Sequence, residues 1–217
     1  MTFTAGEFFD EFRRYNEAVW PLQFFLVAAG LVVVVLAIRS HRNAGRIAML
    51  VMALLWVWMG VVYHFAFFRH INPAASLFGV VSVVQAALFV WLGTREKRVT
   101  VRVRHDGVGA TGALLILYAL VLYPVVGLLA GHRYPAVPTF GVPCPTTIFT
   151  LGLLLWAEPA LPRKVVIIPA LWSAIATVAA VQLGVPQDFG LTIAAMIAVP
   201  IILLSRRGET LPPAHVI

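Results

Sequence analysis

Charge is scarce in this sequence. Asp, Glu, Lys and Arg make up 12% of its 217 residues, roughly half the share of a soluble domain. Cysteine occurs once, at Cys144, which excludes an internal disulfide, a CxxC redox pair and an all-cysteine metal cage. Lysine occurs only at Lys97 and Lys164, both in polar links, so retinal is excluded as a cofactor for want of a Schiff-base lysine inside an apolar run. Ionisable residues are also nearly absent from the middle of the apolar runs, where a proton-driven carrier keeps its relay. Glu158 and Asp188 fall only at the ends of runs. A nucleic-acid partner is excluded too: the net charge is +7, but the basic residues lie in short links and form no basic face on a soluble domain. The opening MTFTAGEFFDEF is acidic where a signal peptide would be basic.

Apolar residues take the place of charge. They make up 61% of the chain, against about 45–50% in soluble domains. Uncharged stretches of about 18 residues or more, each long enough to cross a bilayer, recur along its length. The expected fold is all-α, a polytopic transmembrane helical bundle. Seven spans are predicted: Trp20–Ile38, Ile47–Phe68, Pro73–Leu92, Val108–Ala130, Pro145–Ala157, Val165–Leu183 and Phe189–Leu204. The fifth is short and broken by Pro159 and Pro162, and without it the number is six. Ahead of the bundle (20–205), residues 1–19 read as an amphipathic interfacial helix. Thr4 and Glu7 have capping-box spacing, Phe3 and Phe8 staple spacing, and Phe8, Phe12, Tyr15 and Val19 helical spacing. A first turn continuous with span one is the alternative. Residues 206–217 read as a cytosolic tail.

The basic residues set the orientation. Alternate links around 39–46, 95–104, 163–164 and 206–207, including Arg98, Arg206 and Arg207, hold twelve of the 16 lysines and arginines, and the links at 13–14, 69 and 133 hold four. The positive-inside rule then puts the N-terminus outside and the C-terminus in the cytosol. The link 95–107 reads as a solvated orientation determinant. Its alternation of Val99, Val101 and Val103 with polar residues also fits a short hairpin strand or an interfacial segment on anionic lipid. Gln85 and Gln182 are the deeper polar side chains and read as interhelical bridges.

Polar residues gather in the outer half. Span two ends through WVWMGVVYHFAFFRHINPAA, with Tyr63, His64 and His70, and span four ends LYPVVGLLAGHRYP, with Tyr123 and His132. His41, His105 and His215 are scattered on the cytosolic side. In GVPCPTTIFTLG (141–152), Pro145 marks a helix start and makes Cys144 its N-cap, followed by Thr146, Thr147 and Thr150. The positive helix end favours a thiolate, able to bind a soft metal or attack an electrophile. Simple packing of the cysteine is an equal alternative. His64 reads as hydrogen-bonded within the bundle rather than as a ligand. Asn72 and Pro73 read as the N-cap and first residue of span three, so two helix starts point at the outer surface, and they would form one outward-facing vestibule if spans three and five lie close. The stretch HINPAASLFG resembles the first water-channel signature, but no second Asn-Pro-Ala follows it.

The stretches FRRYNEAVWPLQ (12–23), YHFAFFRHINPAASLFG (63–79) and GHRYPAVPTFGVPCPTTIFTLGLLL (131–155) together resemble an uncharacterised family of small bacterial integral membrane proteins, known only as a domain of unknown function. The resemblance implies a multi-pass protein of the bacterial inner membrane and supplies no activity. The expected function is binding or translocation of a small solute or a soft or borderline metal ion (Cu, Zn or Hg) at an outward-facing site. Cys144, Thr146, Thr147, Tyr63, Tyr123 and Asn72 would line it, with Cys144, His64, His132 and His70 as metal ligands. A membrane enzyme or thiol-redox sensor using Cys144 as nucleophile is the second reading, and a structural subunit of a membrane complex the third. The expected partners are the lipid bilayer, the solute or ion, and a second copy or another membrane protein.

Overall fold

The computed structural model describes residues 3–95, 99–159 and 161–204. Lys97, Arg98, Arg206, Arg207, His215 and the expected tail at 206–217 lie outside the described residues. The fold is all-helical: α1 (Ala5–Val19), α2 (Leu22–Ile38), α3 (Ala44–His70), α4 (Ala75–Arg95), α5 (Gly107–Leu129), α6 (Pro143–Leu155), α7 (Arg163–Leu183) and α8 (Pro186–Leu204). Among the described residues five of these, α3, α4, α5, α7 and α8, are long and apolar enough to cross a membrane. Seven such spans are not found. The expected first span is the 17-residue α2, which passes the length test only together with α1, and the chain bends by 85° between the two. The expected fifth span is the 13-residue α6. At 1.5 Å per residue it is about 20 Å long, short of the roughly 30 Å hydrocarbon layer.

The outer faces of the bundle are as apolar as its interior. Phe25 on α2, Val181 on α7 and Met196 on α8 are all more than 60% exposed, which suits helices solvated by lipid tails. The centre is α6. Every residue from Pro143 to Leu155 except Cys144 is buried, as expected of a helix that is hydrophobic all round. It packs against α5, α8, α7 and α3. Its contact with α5 is backbone-close: a Cβ at Gly152 would lie 2.8 Å from Ile116 Cγ1 and 3.0 Å from the Gly112 carbonyl. Small residues at such crossings let membrane helices approach in the absence of a hydrophobic drive. Trp56 on α3 donates its indole N–H to Thr150 Oγ1 at 3.0 Å, and Trp156 donates to the Gly109 carbonyl at 2.9 Å.

The two ends of the bundle differ. At one, a two-residue strand, β1 (Thr100–Val101), pairs antiparallel with β2 (Ala157–Glu158). The alternation in the basic link is thus realised as a strand, paired with the segment after α6 instead of within its own link. Arg102 donates to Glu158 Oε2 at 2.6 Å. Asp106 caps α5 by accepting from the Gly109 N–H at 2.8 Å. Gln85 bridges helices as expected, donating to the Val165 carbonyl at 3.0 Å, whereas Gln182 is exposed and bridges nothing. Its position near the end of α7 leaves it on the outer face.

The opposite end carries α1. The capping box forms, with the Thr4 N–H donating to Glu7 Oε2 at 2.8 Å and the Glu7 N–H to Thr4 Oγ1 at 3.3 Å. The Thr4 N–H holds the Glu7 carboxyl below its ordinary range. The Phe3 and Phe8 rings stack 5.9 Å apart in the staple. The bend at Trp20–Pro21 separates α1 from α2, so the helix does not continue into the first span. Its buried stripe, Phe8, Glu11, Phe12, Tyr15, Asn16 and Val19, lies across the bundle end. Asn16 fixes it there. Its Nδ2 donates to the Pro135 and Val137 carbonyls at 2.6 and 2.7 Å, and its Oδ1 accepts from Gln23 Nε2 at 2.8 Å and Thr139 Oγ1 at 2.9 Å. The 131–142 loop is thereby drawn inward, with Phe140 and Val142 buried. Gly141 permits this turn: its φ is +104° and a Cβ would strike Leu26.

Candidate functional site

Beneath α1 lies a cavity of about 290 Å³. Its walls are mainly aromatic: Phe8 and Phe12 from α1, Tyr63 and Phe68 from α3, Phe78 from α4 and Trp172 from α7. Two helices lose their α register beside it. Met59–Phe67 of α3 and Tyr118–Leu122 of α5 are π-helical, a wider winding that occurs often at functional sites. The first carries Tyr63 and His64, and the second ends just before Tyr123. Ile175 on α7 lines the cavity and is also 45% exposed, so the cavity reaches the apolar flank of the bundle between α1 and α7.

The cavity has one polar wall. Asp188, in the first turn of α8 after Pro186, is 4% exposed. The Tyr123 hydroxyl donates to its Oδ1 at 2.5 Å. The Cys144 thiol lies beside the same carboxylate. The Trp172 indole also neighbours the sulfur, and its buried N–H makes no hydrogen bond that meets the usual geometry among the described residues. Asn72 and Tyr63 also line the cavity. Gln187, next to Asp188, is fully buried, and its carbonyl accepts from Tyr118 at 2.8 Å.

Of the residues expected from sequence, Cys144, Tyr63, Tyr123 and Asn72 line this cavity, and Thr146 and Thr147 do not. The Thr147 hydroxyl bonds back to the Pro143 carbonyl at 2.7 Å, and Thr146 Oγ1 is buried without a partner. Pro143, not Pro145, opens α6, with Val142 as N-cap. Cys144 therefore stands one step inside the first turn, and the helix end is not its only electrostatic neighbour, because Asp188 is beside it. Asn72 does act at the start of α4, where its Oδ1 accepts from the Ala74 N–H at 3.0 Å, ahead of a helix that begins at Ala75.

The histidines do not converge. His70 faces Glu11 Oε1 at 3.3 Å. His132 lies on the other side of the 131–142 loop, in a second cavity of about 400 Å³ between α2 and α5, stacked on Phe9 and 3.3 Å from Gln187 Oε1. His64 is fully buried among Tyr63, Phe68, Phe78 and Trp172, and neither ring nitrogen has a hydrogen-bond partner. The hydrogen bond expected for it within the bundle is not made among the described residues; four aromatic rings pack against the imidazole instead. Among the described residues no three His, Cys, Asp or Glu side chains come together as a metal site. Cys144, His64, His132 and His70 are therefore not assembled as one ligand set.

Sequence reasoning missed Asp188 as a site residue, along with Trp172 and the buried Glu11. The signal at Asp188 was an acidic residue in a first helical turn, which reads equally as a dipole partner. Glu11 sat on a helix taken as interfacial, yet it is 2% exposed and salt-bridged to Arg14 at 3.2 Å.

A family model described as a family of unknown function, DUF6064, matches residues 5–212. No curated protein and no solved structure matches the chain.

Proposed function

The chain belongs to that family of unknown function, and we propose that it is a multi-pass membrane protein that binds a small, mainly apolar solute in the cavity beneath α1. The observation that carries this reading is the cavity itself. Concave, mostly apolar space with a few polar groups is the usual form of a small-molecule site, and here Asp188, Tyr123 and Cys144 come together in the lining, with Asn72 also part of it. Its volume sits at the lower end for such sites. From α6 the lining includes only Pro143 and Cys144 of its first turn, which favours binding over passage straight through the bundle. The charge bias of the links supports an N-terminus outside and a C-terminus in the cytosol of a bacterial inner membrane.

The test uses the only thiol as a reporter. N-ethylmaleimide should modify Cys144 in the folded protein, and filling the cavity by Ala176→Trp should slow that reaction at least tenfold. An unchanged rate in a folded Ala176→Trp protein would remove the cavity as a binding site. A second reading, a thiol enzyme or redox sensor, rests on Cys144 lining the cavity, and the neighbouring Asp188 carboxylate opposes it by disfavouring a thiolate. It requires the thiol to react near neutral pH faster than a free thiol of similar exposure, and a slower reaction rejects it.

A further inference from the structure

Resting on the reading of the cavity as a small-molecule site, we propose that its ligand is an organic monocation, an amine or quaternary ammonium on a compact apolar body, with its charge seated against Asp188 and the ring faces around it. The two buried acids differ in their company. Glu11 has Arg14 and His70 as partners. Asp188, equally buried, has an ion pair with no cation among the described residues, and its side-chain neighbours are the Tyr123 hydroxyl and the Cys144 thiol. A buried carboxylate without a counter-charge is costly unless it holds a proton or meets a cation.

The rest of the wall points the same way. Ring faces are the negative side of an aromatic quadrupole and attract cations, the more strongly when water is excluded. Tyr63, Phe68, Phe78 and Trp172 all line the cavity, packed as the pairs Tyr63–Phe68 and Phe78–Trp172. No lysine, arginine or histidine lines the cavity among the described residues, so an anion would meet only Asp188 and be repelled. A divalent metal would find one carboxylate where it needs several hard ligands. The mouth beside Ile175 opens on the apolar flank, which suits a cation with an apolar body.

The experiment measures binding of three probes of similar shape to the purified full chain in nanodiscs, read by tryptophan fluorescence. They are benzyltrimethylammonium, its neutral isostere neopentylbenzene, and benzenesulfonate. The cation should bind at least tenfold tighter than the neutral compound, benzenesulfonate should not bind, and Asp188→Asn should abolish the preference for the cation over the neutral compound. Equal binding of cation and neutral compound to the wild-type chain, or a preference that survives in Asp188→Asn, overturns the cation assignment and leaves the cavity reading standing. Binding of none of the three overturns both. If Asp188→Asn does not fold, the wild-type ratio of cation to neutral affinity decides alone.

Discussion

Asn16 uses every hydrogen-bonding position its side chain has: two N–H donors to the Pro135 and Val137 carbonyls and two acceptor sites filled by Gln23 and Thr139. Asn16→Ala would strand four partners, of which Gln23 is buried and Pro135, Val137 and Thr139 are half-buried. At about 1–3 kcal/mol for a buried group left unpaired, and with partial relaxation, the loss should be about 3 kcal/mol. A thermal melt in detergent followed by near-ultraviolet circular dichroism checks it, and an unchanged midpoint would show that the loop is held elsewhere. Residue types were legible in the sequence where they were rare. One cysteine between two prolines announced a helix start, and it was found a step from the expected place. Asn16 and Asp188 were not legible, because their importance depends on partners more than a hundred residues away for Asn16 and on α5 and α6 for Asp188.

At the scale of elements, the α5–α6 crossing is a backbone-close contact. A methyl group at Gly152 would press on Ile116 and on the Gly112 backbone, and backbone cannot turn aside as a side chain can. Gly152→Ala should cost about 1–3 kcal/mol through overpacking and reduce the monodisperse fraction in size-exclusion chromatography, whereas Gly107→Ala, with open space around it, should not. The start of α5 adds a pH dependence. Arg104 hydrogen-bonds the Asp106 carboxylate and, with the Gly109 N–H, holds its pKa below the ordinary value of 3.8. A lowered folded-state pKa means that the contribution is complete above the unfolded value and lost as pH falls through the folded one. Stability should therefore decline below about pH 4, and the decline should be smaller in Asp106→Asn, which still caps but cannot titrate. Equal acid profiles for the two proteins would contradict this. Apolar run length made α3, α4, α5, α7 and α8 legible. The π-helical turns were not, since hydropathy has no signature for an extra residue in a turn. Nor was the central place of α6, since its sequence is no more apolar than that of helices facing lipid.

At the scale of the whole molecule, composition already pointed to an apolar helical bundle, five helices among the described residues are long and apolar enough to cross a membrane, and the charge bias predicts an orientation for it. Single cysteines introduced at Arg133 and at His105 in a Cys144→Ala background should separate cleanly. The first should react with an impermeant maleimide in intact cells and the second only after permeabilisation, and the reverse pattern would invert the protein. The bent junction of α1 and α2 has a mechanical corollary. Asn16 ties the roof of the cavity to the loop that leads into Cys144, while α2 hangs from the same corner with its outer face in lipid. Roof and floor then move as one lever whose long arm is α2. A bilayer too thin or too thick for that arm tilts it, so the rate at which N-ethylmaleimide reaches Cys144 should vary with acyl-chain length in reconstituted vesicles. A rate indifferent to chain length would mean the corner is free to flex.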